Sequence, residues 1–111
     1  MRERGGATVE GIFDRSTTPV TLRLTGELEI GEAAELQARL LEALALGEPI
    51  QLAMEAVSGV DVTGLQLLTA AERAAAARGG PWVRSGALPE SLRRAAEEAG
   101  WNEVPFAGDA L

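Results

Sequence analysis

The chain has 111 residues, a formal net charge of −7 and a hydrophobic content of 46%, which is the size and composition of one globular domain. It contains no Cys, His, Lys or Tyr, so it lacks disulfides, thiolate or imidazole metal ligands and the usual general bases. The acidic balance disfavours binding to nucleic acid or to an anionic membrane surface, because both require a basic footprint. We therefore expect a protein without catalytic activity, metal or cofactor.

Residues 1–6 are predicted to form a flexible N-terminal tail, and residues 7–111 a single domain. The start of the chain lacks the apolar segment that is typical of a secretory signal. No apolar run approaches the about 18 residues that are needed to cross a bilayer. We therefore expect a soluble, cytoplasmic protein without direct membrane insertion.

The first elements are predicted to be a hairpin followed by a helix. Residues 8–14 indicate a weak edge strand, a turn-rich segment follows, and residues 20–26 alternate between apolar and polar side chains as a strand does. Residues 32–46 change to helical spacing and end before Gly47 and Pro49. The predicted inward face of this helix holds Ala33, Leu36, Leu40 and Leu44, and its solvent face Glu32, Glu35, Arg39 and Glu42.

The remaining elements alternate between strand and helix. Residues 50–55 indicate a strand, residues 62–78 a helix, and Trp82 and Val83 a short strand. A third helix is predicted to start at Pro89 and to end at Gly100, with a buried stripe of Leu92, Ala95, Ala96 and Ala99. The order β-β-α-β-α-β-α predicts an α/β fold with a mixed sheet of about four strands and helices packed against it.

The most informative motif is the strand, loop and helix start at residues 60–68. Asp61 is predicted to cap the helix, at the end where free N–H groups and the helix dipole favour acceptors. Gly64 is predicted to face the sheet closely, since glycine within a helix costs about 1 kcal/mol relative to alanine. A helical wheel places Gly64, Leu67, Leu68, Ala71 and Ala75 inward, and Val62, Gln66, Thr69 and Arg73 toward solvent.

The run from Val60 to Leu65 resembles the Asp-Ser-Ser/Thr/Ala-Gly-Leu signature of STAS domains, the family of anti-sigma factor antagonists. Residues 24–29, which include Gly26, resemble the family's approach to its first helix. The order and spacing of the other elements extend the resemblance over nearly the whole chain. It implies a bacterial regulatory module in signal transduction and transcription regulation, which binds and releases an anti-sigma factor kinase by partner switching.

The resemblance implies that a hydroxyl residue directly after the motif Asp is phosphorylated. Val62 occupies that position here, and Thr63 is the only hydroxyl residue of the motif, which makes it the candidate phosphosite. We therefore expect a protein-binding module without the standard phosphoserine switch. The expected partner contacts are Asp61, Val62, Thr63, Leu65, Gln66 and Thr69, with Gly64 and Gly26 in structural roles.

Two other functions compete with this one. The family resemblance also implies an accessory subunit of a lipid-transport ABC ATPase, in which case the partner is that ATPase. A sensor of a small molecule or lipid, with its pocket between helix and sheet, is the other alternative. A homodimer is compatible with each of these functions.

Overall fold

Four strands form one mixed sheet in the computed structural model, which describes residues 10–108. The sheet order is β1-β2-β3-β4. β1 and β2 pair antiparallel as a hairpin, and β2, β3 and β4 pair in parallel. The strand bounds are Glu10–Asp14 for β1, Val20–Leu28 for β2, Ile50–Val60 for β3 and Val83–Ser85 for β4. The predicted order of elements and the mixed sheet are confirmed, while the predicted tail and residues 8 and 9 lie outside the described residues.

Three α-helices cover the sheet. They are α1 (Ala33–Ala45), α2 (Val62–Ala77) and α3 (Glu90–Glu98), and a 3₁₀ turn (Ile30–Glu32) precedes α1. Because β2, β3 and β4 follow one another in the sheet, right-handed crossovers place α1 and α2 on the same face. Side chains from the sheet and from all three helices join in one buried cluster, which includes Leu22, Leu24, Leu52, Met54, Leu36, Leu40, Leu65, Leu68 and Leu92.

The helix faces differ from the prediction at a few positions near helix ends. Glu32 is buried rather than solvent-facing, because it belongs to the 3₁₀ turn and not to the surface of α1. Ala99 is exposed, because it follows the last residue of α3 and has left the buried stripe. Pro89 is the N-cap of α3 rather than its first helical residue.

β3 is longer than predicted, and this positions the site. The strand continues through Val60, which pairs with Leu28 at the end of β2. Its partner β2 keeps the pairing through register shifts at residues 23–25 and 26–27, and Gly26 has a positive φ of 93° there, which glycine adopts at little cost. As a result α2 begins at Val62, and only Asp61 separates it from the carboxyl end of the strand.

Candidate functional site

The carboxylate of Asp61 joins two loops at the carboxyl edge of the parallel strands. Its Oδ1 atom accepts hydrogen bonds from the backbone N–H groups of Thr63 (2.9 Å) and Gly64 (3.1 Å). Its Oδ2 atom accepts a third from the backbone N–H of Ile30 (2.9 Å). The side chain therefore caps α2 and also fixes the segment that follows β2, a second role that local sequence pattern could not indicate.

Substitution of Asp61 separates these two roles. Asp61→Asn keeps one acceptor oxygen for the cap but offers an amide nitrogen to Ile30, so it should lower the free energy of unfolding by about 0.5–1.5 kcal/mol. Asp61→Ala also removes the cap, which is worth about 0.5–2 kcal/mol by itself. Urea denaturation of both variants measures the difference. Equal losses would show that the capping bonds contribute nothing measurable.

Gly64 lies where the first turn of α2 approaches β2. A β-carbon at this position would come within 2.2 Å of the carbonyl oxygen of Leu28, which is backbone and cannot rotate away. Residue 64 itself is buried. The contact explains why the first turn of α2 carries glycine despite the low helix propensity of this residue.

Gly64→Ala should therefore destabilise the fold, by about 1–3 kcal/mol, because α2 must shift away from β2 to admit the methyl group. Gly31→Ala is the matched control, since a β-carbon at Gly31 meets nothing within 4 Å, and it should stay within about 0.5 kcal/mol of the wild type. Thermal and urea unfolding measure both. A neutral Gly64→Ala variant would contradict the close approach.

Two large apolar side chains are exposed on either side of this cap. Val62 is 47% exposed and Ile30 is 73% exposed, and they are two of the four exposed large hydrophobic residues within residues 10–108. Asp61 connects them, since Val62 follows it in the chain and Ile30 donates to it. The sequence analysis missed Ile30; its signal was an apolar side chain between Glu29 and Gly31 at the end of a strand.

The other predicted contact residues divide by exposure. Gln66 is exposed, and Asp61, Thr63 and Thr69 are half-buried. Leu65 is fully buried, so placing its side chain on a contact surface was wrong. The helix faces the sheet through Gly64, Leu65 and Leu68, and Leu67 is half-buried instead. The predicted inward face agrees with the burial of Gly64, Leu68, Ala71 and Ala75, and it differs at one position, where Leu65 rather than Leu67 is buried.

Within residues 10–108 the structure contains neither a candidate metal site nor a helix that could span a membrane. No group of three or more carboxylates within residues 10–108 could hold a metal ion. None of the helices in that range has the length and apolar character required to span a bilayer.

Comparisons with known proteins place this geometry in a family. The family model described as "Mlab, STAS domain" matches residues 12–107. The anti-sigma factor antagonist SpoIIAA in its unphosphorylated form is similar in structure, with a TM-score of 0.61 and 22% identity over 92% of this chain and 90% of that chain. Its phosphorylated form, described as the Bacillus cell fate determinant, gives a TM-score of 0.61 and 24% identity over 92% of each chain.

A larger protein contains a similar domain. Mglu matches with a TM-score of 0.61 and 22% identity over 78% of this chain, but this chain spans only 22% of the length of Mglu. At these identities the structural matches show the fold alone. No curated protein sequence matches the chain. The family model covers most of the chain, the sheet and helices agree with SpoIIAA, and the resemblance drawn from residues 60–65 is confirmed: the chain belongs to the STAS domain family.

Proposed function

We propose that this protein is a regulatory protein-binding module of the anti-sigma factor antagonist type, which works without a phosphoserine switch and without catalysis. Its partner binds a docking surface formed by Ile30, Val62, Gln66 and Thr69, with Asp61 and Thr63 at the edge. The expected partner is an anti-sigma factor or a related kinase-like protein.

The exposure of Val62 carries this proposal. Its side chain is 47% exposed in the first turn of α2, and it contributes little to the core. A partner that covers Val62 and the more exposed Ile30 gains the free energy of removing apolar surface from water, about 25 cal/mol for each Å². Since neither side chain can be phosphorylated, a phosphate on Val62 or Ile30 cannot regulate this contact.

The likeness to SpoIIAA supports the same class of function. That protein is an anti-sigma factor antagonist with an unphosphorylated and a phosphorylated form. In the present chain the position after the motif Asp carries no hydroxyl group. Regulation by a phosphate at residue 62 is therefore chemically unavailable, which supports a binding module without that switch.

The same feature favours a second candidate, an accessory subunit of a lipid-transport ABC ATPase. A permanent subunit contact needs no switch, and an apolar residue such as Val62 is better suited to a contact that stays desolvated than a serine is. In this case the docking surface is the same and only the partner differs.

Co-expression distinguishes the two candidates. The chain is produced together with either a kinase-like anti-sigma factor or an ABC ATPase encoded beside its gene, and each mixture is analysed by size-exclusion chromatography with light scattering. A stoichiometric complex with one of them identifies the partner class. If neither forms a complex although both are folded, the proposed function is wrong.

A further inference from the structure

A groove of about 600 Å³ lies beside the docking surface, between α2 and residues 101–105. This volume is within the range of binding pockets in proteins. Gln66 and Thr69 of the docking surface also line the groove. A partner seated on the first turns of α2 would therefore meet the groove without a gap.

The C-terminal wall of the groove is held in place by the residue that follows it. The backbone N–H of Phe106 donates to Glu72 Oε2 (3.2 Å), and its carbonyl oxygen accepts from Arg84 Nη1 (2.6 Å). Its buried ring stacks on Trp82, with 6.4 Å between the ring centroids. These contacts hold Phe106 at a φ of 61°, which is uncommon for a residue other than glycine. The groove is thus preformed.

The charged groups that line the groove favour a single cation. Glu72 and Glu103 contribute two carboxylates, and Arg73 contributes one guanidinium, so the groove carries one net negative charge. Glu103 is exposed, and no salt bridge within the described residues engages Glu103 or Arg73. The half-buried Trp101 supplies an aromatic face, on which a guanidinium group can stack.

We infer that this groove receives an arginine side chain from the protein partner. The guanidinium group pairs with Glu103 and with the carboxylate of Glu72, and it stacks on Trp101, while its alkyl stem lies along Val104. Gln66, Thr69 and Asn102 can bond the backbone of the partner segment. The inference rests on the proposed function for the identity of the occupant, and the net charge of −7 on the chain favours a basic partner surface as well.

Titration with three blocked tripeptides tests the groove without the partner. The peptides are acetyl-Ala-Arg-Ala-amide, its citrulline counterpart, which has the same shape without charge, and acetyl-Ala-Glu-Ala-amide. Proton–nitrogen correlation spectra follow the indole N–H of Trp101 and the backbone amide of Glu103. We expect saturable shifts with the arginine peptide, weaker binding of the citrulline peptide and none of the glutamate peptide. Binding of the glutamate peptide at equal strength, or no saturable shift with the arginine peptide, would overturn the inference.

Charge variants make the result specific. Glu103→Gln should lower the affinity for the arginine peptide by about two- to fivefold, as expected for a partly exposed ion pair. Arg73→Gln should raise this affinity, because it removes a like charge from the groove. Glu98→Gln, an exposed change on α3 outside the groove, should leave binding unchanged. If Glu98→Gln and Glu103→Gln lowered the affinity for the arginine peptide equally, the binding would be non-specific charge attraction, which would contradict the inference.

The failure of this inference can be separated from failure of the proposed function. If a partner binds through Val62 but its affinity does not change in Glu103→Gln, the groove inference is wrong and the docking surface stands. If the arginine peptide binds the groove but neither candidate partner forms a complex, the proposed function is wrong and the groove remains a cation site.

Discussion

Replacing Leu68 with Ala should lower the free energy of unfolding by about 2–5 kcal/mol. The side chain is fully buried and belongs to the cluster that joins α2 to the sheet, so truncation leaves a cavity among side chains that can relax only in part. Gln66→Ala, an exposed change on the same helix, should stay within about 0.5 kcal/mol of the wild type. Chemical denaturation measures both, and equal losses would mean that the helix faces the sheet differently.

A second pair on α2 tests which of two nearby leucines packs into the core. Leu65 is fully buried and Leu67 is half-buried, although the sequence pattern predicted Leu67 on the inward face. Leu65→Ala should therefore cost about 2–5 kcal/mol, as Leu68→Ala does, and Leu67→Ala clearly less. The two variants remove the same atoms, so a reversed order could arise only from a different rotation of the helix.

Val62→Asp should weaken binding of the partner by about tenfold or more, equivalent to about 1.4 kcal/mol. Val62 lies at the centre of the proposed docking surface, so an aspartate there would lose its hydration on binding. Its carboxylate would have no opposite charge to pair with, and burying an unpaired charge is costly. The fold should survive, because position 62 is exposed and an acidic residue is favourable in the first turn of a helix. Calorimetric titration of the co-expressed partner measures the affinity, and circular dichroism verifies the fold.

Val62→Ser is the matched control, since it introduces a hydroxyl group without a charge. It should bind much more strongly than Val62→Asp. After treatment with a cognate kinase and ATP, mass spectrometry should find phosphate on this serine, whereas any phosphate on the wild type should map to Thr63. Unchanged affinity in Val62→Asp, with the fold intact, would move the binding surface away from α2 and contradict the proposed function.

Much of the fold could be predicted because its signals are local. The alternation of Val20, Leu22 and Leu24 indicated β2, and these side chains are buried as expected. The helical spacing of Leu36 and Leu40 likewise indicated α1 and its inward face. Parallel pairing followed from the alternation of strands and helices. These features depend on periodicity along the chain, which a single sequence contains.

The remaining features depend on contacts between distant segments. The bond from Ile30 to Asp61 joins residues 31 positions apart. Which of Leu65 and Leu67 is buried depends on how α2 packs against α1, α3 and β3, and a helical wheel does not contain that information. The groove was also missed, because residues 101–105 have no regular secondary structure. Their placement depends on Phe106 and its bonds to Glu72 and Arg84.

The two-sided role of Asp61 has a consequence for the thermodynamics of association. Since one carboxylate restrains both the start of α2 and the backbone of Ile30, the two exposed apolar side chains are anchored to a common group before any partner arrives. Backbone ordering of this kind otherwise costs about 1–2 kcal/mol per residue, and a surface that is already ordered does not incur this cost on binding. A weakly hydrophobic patch of only two large side chains can thereby support a specific complex.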